Sequence, residues 1–307
     1  MSGPPQTSNG VLMVRPASFG FNPETAASNA FARAVSDPQV LGRAAAEFDA
    51  VAEALARAGV EVIVLEDTTS PVKPDAAFPN NWVSFHADGT MAIYPMAAAT
   101  RRFERRVDDV RSLLAERGFQ ISRLIDLSPS EELGRYLEGT GSLILDRPSR
   151  RAFAALGPRT DRDLLDEFDA QLDYSTYTFD AFDGQDRPIY HTNVMLSLGG
   201  RFAVVCLDVV PADQRIGLLE ELSALRDEVI IVDAAQMNGF ACNILELEGS
   251  GGPAIAMSQS AFEAFNAGQR RRLERYAALV PTSIPTIEAV GGGSVRCMIA
   301  DIHLPRA

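Results

Sequence analysis

Chemistry in this chain can rest on few residues, because it carries only three cysteines and three histidines. Cys297 ends the run Gly291-Gly292-Gly293-Ser294-Val295-Arg296-Cys297. Glycines allow close backbone approach and unusual dihedrals, so such a loop can aim N–H groups at a developing oxyanion. A thiol placed there becomes a nucleophile when a base or a cation lowers its pKa. The competing reading is an inert core thiol, which suits Cys206 inside RFAVVCL and also Cys242. His191, in Tyr190-His191-Thr192-Asn193, precedes a strand-like run and is the candidate general acid and base. His86 falls in a hairpin turn, where solvation is expected, and His303 lies in IADIHLP near the C-terminus. Glu138, in Leu137-Glu138-Gly139-Thr140-Gly141, can orient an imidazole or accept from a substrate nitrogen, or can be a surface glutamate at a helix end. The scattered histidines give no ligand spacing such as HExxH, so no metal is expected. The glycine run neither matches GxGxxG nor opens a helix, so no cofactor is expected either.

The elements that must position these residues follow a recurring unit: short strand, tight turn, short strand, amphipathic helix, short strand. WVSF and MAIYP flank the turn His86-Ala87-Asp88-Gly89, followed by a helix at about 99–117 and a strand near 119–125. Phe103, Val107, Val110, Leu113 and Leu114 give that helix its apolar spacing. The second copy has SLILD, AFAAL and a helix near 161–172. In the third, VMLSL and RFAVVCL precede a helix near 212–226 and the strand VIIVD. The fourth has NILEL, PAIAM, helical residues near 258–279 and a strand near 284–288. A fifth copy is split, joining the C-terminal strand 297–303 to VLMVR at 11–15, a helix at about 39–58 and VEVIVL at 60–65. First strands begin near Asn81, Gly141, Asn193, Asn243 and Cys297, spaced 60, 52, 50 and 54 residues apart. This pattern predicts an α/β chain folded as a five-bladed propeller of ββαβ repeats, closed by its own termini so that few edges remain exposed. The residues suited to chemistry then share one position in the repeat and converge at one mouth. An open three-layer α/β sheet is the alternative. Residues 1–9 are expected to form a disordered leader, and 10–307 a single catalytic domain.

Bulk composition narrows the partners. The 307 residues are 46% hydrophobic and 22% charged, as in ordinary globular enzymes. With 41 acidic against 28 basic residues the net charge is −13, which argues against nucleic acid and leaves a small zwitterionic or cationic metabolite. The N-terminal stretch lacks a signal-peptide pattern, no run is long enough to span a membrane, and the cysteine count gives no disulfide framework. A cytoplasmic protein is expected, and a homo-oligomer is compatible with all of this.

Taken together, Asp75-Ala76-Ala77-Phe78-Pro79-Asn80-Asn81-Trp82, the Leu137-Glu138-Gly139 turn, Tyr190-His191-Thr192-Asn193 and the glycine run before Cys297 resemble the amidinotransferase, arginine deiminase and dimethylarginine dimethylaminohydrolase superfamily, the penteins. The branch of citrulline-utilisation hydrolases is the nearest likeness. The resemblance spans the chain from Met13-Val14-Arg15-Pro16 to Cys297-Met298-Ile299-Ala300. It implies attack by Cys297 on a planar guanidine-like carbon, proton transfer by His191 and a supporting role for Glu138. It also implies that Asp75 lies near the substrate and that Arg159 grips an α-carboxylate. Relatives acting on guanidinium cations carry Asp where this chain has Asn81 and Asn193, and an acid where it has Gly141. Asparagine can donate as well as accept, which suits a neutral ureido group. The resemblance therefore implies a hydrolase converting citrulline to ornithine. Arginine or a methylated arginine as substrate, amidino transfer and a non-catalytic scaffold are the alternatives. The segment Ser18–Pro23, with two exposed-looking phenylalanines, is read as a lid or as a plain anchored loop.

Overall fold

The computed structural model describes residues 3–306. It contains five three-stranded mixed sheets, each made of a hairpin and a parallel third strand. Their middle strands are Gly10–Arg15, Thr90–Ile93, Arg151–Leu156, Phe202–Cys206 and Gly252–Ser258. In each sheet the middle strand pairs antiparallel with one neighbour and parallel with the other. A parallel pair needs a crossover, and a helix supplies it every time. The termini share one sheet: Gly10 pairs with Ile302, and Gly10–Arg15 runs parallel to Glu61–Glu66.

Local sequence accounts for these elements. Phe202–Cys206 is buried at every residue, so it reads as a continuous apolar run rather than an alternating one. In the helix Val40–Arg57 the residues Val40, Ala44, Phe48, Val51 and Leu55 are buried, a stripe at helical spacing. Asp161 caps Arg162–Leu172 by accepting from the N–H of Leu164.

Four further details matter for the site. One helical turn leads into the first strand of three sheets: Pro79–Asn81, Gly139–Ser142 and Thr192–Val194. Cys297 sits in a similar turn, Val295–Met298, before the strand Ala300–Ile302. Asn243 lies just ahead of Leu245–Gly249. First strands of successive sheets also lie against one another, Ile144–Asp146 beside Leu196–Leu198 and Val83–Phe85 beside Ala300–Ile302.

Several expectations need correction. The helix at 99–117 is two pieces, a 3-10 turn Ala99–Glu104 and a helix Val107–Glu116. The buried pair of Arg101 and Glu104 shapes the first piece, and Phe103 is turned 57% outward instead of joining the apolar stripe. The stretch 258–279 also divides, into Gln259–Ala264 and Ala267–Leu273, because Asn266 starts a second helix with a capping box. The third strand of that sheet is Ala278–Thr282, not 284–288. Pro281 is tolerated there because the strand is an edge, and 287–291 forms a π-helical turn that buries Ile287 and Val290. Of the expected leader 1–9, residues 1–2 lie outside the described ones, while Gln6 and Ser8 are tied down by hydrogen bonds to Leu145 O, Arg147 N–H and Ile302 O. Phe19 is buried, and both Phe19 and Phe21 pack on the core cluster that contains Phe78 and Met298.

Candidate active site

Glycines press the Cys297 loop flat against its neighbours. A Cβ at Gly293 would lie 2.9 Å from the Phe78 ring, and Gly292 (φ +64°) has no room beside Asn29 and Ala32. Ser294 Oγ donates to Glu288 Oε1 at 2.7 Å, fixing the far side of the loop. The N–H groups of Gly292 and Cys297 are spent on Glu288 O and Ser294 O, so the oxyanion role read into the glycine run does not fall to those two donors.

Two amides stand on the thiol. Nδ2 of Asn193 and Nδ2 of Asn243 lie 3.5 and 3.3 Å from Cys297 Sγ. On the open side of Cys297 a small cavity is lined by His191, Asp75, Asn81, Arg101, Arg159 and Tyr190. The six site residues expected from the sequence besides Cys297 are therefore gathered with it: His191, Asp75, Asn81 and Arg159 line that cavity, Asn193 contacts Sγ, and Glu138 stands behind the imidazole.

Glu138 organises the charges. Its Oε2 accepts from His191 Nε2 at 2.8 Å and from an Arg159 nitrogen at 3.3 Å, with Arg101 at 3.8 Å. The N–H of Ala97 donates to Oε1 at 3.0 Å. Burial opposes ionisation of this carboxyl, but Arg159, His191 and Arg101 outweigh it and hold it well below the usual carboxylate range. Burial, against the pull of Glu138, brings the His191 imidazole down to about 4. At neutral pH the ring is therefore uncharged, with the proton on the nitrogen that donates to Glu138 and Nδ1 left as the basic one. A Cβ at position 141 would lie 2.8 Å from that Nδ1 and 2.5 Å from Asn81 Nδ2, so Gly141 is what lets the two approach.

The remaining contacts define what faces the cavity. Asn81 Oδ1 accepts from Arg101 at 2.8 Å, which leaves its Nδ2 as the group turned to Asn80 and Gly141. Asp75 Oδ2 accepts from Asn22 Nδ2 at 2.7 Å and Thr25 Oγ1 at 3.2 Å. Burial pushes its pKa up, partly offset by Arg101 and Asn22. Arg159 is buried rather than solvated, and it stacks 5.0 Å from the Tyr190 ring. Its three guanidinium nitrogens all have acceptors, in Glu138, Thr25 O and Ser28 Oγ. A grip on a substrate carboxylate would have to be added to these contacts or displace them.

The other histidines lie elsewhere. His86 is buried, not solvated, and bonds Ser84 Oγ at 2.8 Å, while His303 bonds Asp301 at 2.8 Å beside Arg147. Cys206 and Cys242 belong to the large core, where burial pushes Cys206 up to about 11 and Cys242 well above its ordinary value. Sequence reading passed over Asn243, Arg101, Glu104 and Tyr190. Asn243 had a signal, since it occupies the same repeat position as Asn81 and Asn193. Arg101 had none, because Arg101-Arg102 reads as a solvated pair until the fold buries one of them. Among the described residues no group of three or more His, Cys, Asp and Glu is placed to hold a metal ion, and no helix is long and apolar enough to cross a membrane.

The family profile described as N,N dimethylarginine dimethylhydrolase, eukaryotic, matches residues 15–304. No curated protein sequence matches the chain. Among solved structures, ArgZ, an arginine dihydrolase of the ornithine–ammonia cycle in cyanobacteria, superposes with a TM-score of 0.74 at 17% identity, covering 97% of this chain. The chain spans 41% of that protein's length. The substrate-bound N-terminal domain of ArgZ alone gives 0.73 at 17% identity, with 94% of this chain and 96% of that one covered. A dimethylarginine dimethylaminohydrolase caught as an adduct with S-methyl-L-thiocitrulline gives 0.66 at 11% identity, covering 95% and 98%. These likenesses match the five-sheet α/β architecture. With a profile that runs through nearly all of its length, the chain belongs to the N,N-dimethylarginine dimethylhydrolase family, within the pentein superfamily.

Proposed function

We propose that the chain is a cysteine hydrolase acting on the planar carbon of a ureido or guanidino amino acid, with citrulline as the favoured substrate. The observation that carries the ureido reading is the set of amides at the reacting centre. Asn193 and Asn243 present Nδ2 to Sγ, and Asn81, its Oδ1 taken by Arg101, presents Nδ2 beside His191. Fixed donors suit the oxygen of a neutral ureido group, whereas a guanidinium offers only N–H groups and no acceptor for them. A specific observation favours a second reading: the buried Asp75 carboxylate lines the same cavity and can accept from a guanidinium. Arginine and N,N-dimethylarginine are therefore the competing substrates.

In the ureido reading the Cys297 thiolate attacks the carbonyl carbon. The C–N bond to the δ-nitrogen then breaks, His191 delivers to that nitrogen the proton its Nδ1 took from the Cys297 thiol so that ornithine leaves, and a carbamoyl thioester remains on Sγ. His191 next takes a proton from water, which displaces the thiolate and releases carbamate, the source of carbon dioxide and ammonia. Glu138 holds the imidazole in the tautomer this shuttle needs.

The site cavity, about 20 Å³, is too small for an amino acid, while a cavity of about 940 Å³ opens on the other side of Tyr190. We read the segment from Thr25 through Arg33 as the cover that moves to admit substrate. It places Thr25 and Asn29 in the site cavity and Ala26 to Arg33 along the larger one. The five sheets are read as blades of a propeller, with neighbouring first strands around its axis.

The test is incubation with L-citrulline, L-arginine and N,N-dimethylarginine, following ornithine, citrulline, ammonia and dimethylamine. Ornithine from citrulline supports the ureido reading. Citrulline from either guanidino substrate, with citrulline itself inert, would overturn it in favour of the Asp75 reading. On whichever substrate turns over, Gly141→Ala is expected to lower kcat about 100-fold, since the new methyl displaces His191 Nδ1 and Asn81 Nδ2. Steady-state kinetics beside a thermal melt check this, because a folded variant at full rate would contradict it.

A further inference from the structure

The Asn243 amide, counted above among the donors at the thiol, is assigned no step in the scheme. We propose that Asn243 is a positioning residue that fixes the Cys297 side chain and stabilises its thiolate by hydrogen bonding, an assignment that rests on Cys297 being the nucleophile.

The orientation of the amide is set by its surroundings. Asn243 Oδ1 accepts the backbone N–H of Arg296 at 3.1 Å, and since that N–H can only donate, the oxygen must face it. The NH2 group is then committed to the other side, where it donates to Asn193 O at 3.1 Å and to Sγ at 3.3 Å. Because Arg296 adjoins Cys297, one side chain grips both the backbone and the sulfur of the nucleophile's turn. Sγ also lies 3.7 Å from Oδ1, so the neutral thiol has an acceptor for its proton and the thiolate has a donor. The second amide is held less firmly, because Asn193 Oδ1 is buried without a partner. Asn243 is therefore the anchored one of the pair.

The charged groups around the sulfur leave room for this role. Asp75, Arg101, Arg159, Tyr190 and His191 share the cavity, Glu138 stands behind His191, and Arg296 precedes the cysteine. Arg101 and Arg159 are both within 4 Å of Glu138, and Arg296 is bonded to Asp301 at 3.3 Å. The imidazole is neutral at pH 7, so it supplies no counter-charge in the resting site. A hydrogen bond to the charged form is then a direct means of favouring thiolate.

The experiment is the pH dependence of Cys297 alkylation by iodoacetamide, read by peptide mass spectrometry so that Cys206 and Cys242 are resolved. It compares wild type, Asn243→Asp and Asn243→Ala, each checked by a thermal melt. Asn243→Asp keeps Oδ1 for the Arg296 N–H but replaces the donor with a carboxylate oxygen. Its alkylation midpoint is expected to rise by about 1–3 units. Asn243→Ala is expected to raise it less. Both variants are expected to lose kcat more than they change KM. An unchanged midpoint in either folded variant would overturn the proposal. So would failure of both to fold, which would assign Asn243 a structural role. The alkylation needs no substrate, so it is read independently of the substrate assignment, whose failure would appear as a wild-type protein inert towards all three compounds.

Discussion

Replacing Cys297 with alanine is expected to lower turnover by roughly ten-thousand- to a million-fold, with the fold intact. The size follows from what the thiol is asked to do. Without Sγ there is no covalent intermediate, and water must attack a resonance-stabilised ureido carbon directly, a harder single step. What survives is the rate gained from binding and from a donor already fixed in place, such as Asn81. The fold should tolerate the change because Ala removes one sulfur from a turn whose backbone is held by Asn243, Ser294 and the Arg296 contacts. Activity within tenfold of wild type would exclude Cys297 as nucleophile.

Glu138→Gln is expected to cost roughly a thousand- to ten-thousand-fold in kcat, as for other oriented imidazoles that lose their carboxylate. The substitution keeps size but alters three things at once. Glutamine can donate to His191 Nε2, which stabilises the wrong tautomer and moves the ring proton to Nδ1, the nitrogen facing Gly141. Loss of the negative charge removes the upward pull on the imidazole, so it becomes a weaker base than its present value of about 4 implies. Arg159 and Arg101 lose a shared partner in a fully buried site, a change that costs about 3–5 kcal/mol of stability. The sign of the pH effect follows from the carboxyl, whose folded pKa lies below its ordinary 4.5. Its contribution to stability is present above that unfolded value and is lost as the pH falls towards the folded one. The wild type should therefore lose stability below about pH 4.5 on this account. The Gln variant, weaker throughout, should lack this part of the acid-side decline. Denaturant unfolding of both proteins across that range measures the difference.

Much of this arrangement is legible in the chain because it repeats. Hairpins such as VSF and TMAI, or LSL and FAVVC, are short apolar runs bounded by turn residues, and a 50–60-residue spacing aligns Asn81, Gly141, Asn193, Asn243 and Cys297 without any knowledge of contacts. That alignment also places His191 and Glu138 one or a few residues ahead of equivalent turns. The illegible parts are long-range and ionic. Arg101 looks solvated in sequence, yet its fixed place among Glu104, Glu138 and Asn81 decides which atom of Asn81 faces the site. His86 sits beside a turn glycine, but the neighbouring sheet covers it, with Tyr174 packed edge-on to its ring. Ile284, Ile287 and Val290 have the apolar content of a strand or a helix, and only the pairing of Ala278–Thr282 with Gly252–Ser258 settles which stretch completes the sheet. Periodicity reports the element; it does not report which of two adjacent apolar runs finds a partner first.

The most direct test is the mass of the peptide carrying Cys297, recovered from acid-quenched wild-type protein during steady turnover of citrulline. The account predicts a carbamoyl group on Cys297, rising within the first turnover and disappearing when citrulline is exhausted. An unmodified Cys297 peptide at every time point while ornithine accumulates, or the modification on another residue, would contradict it.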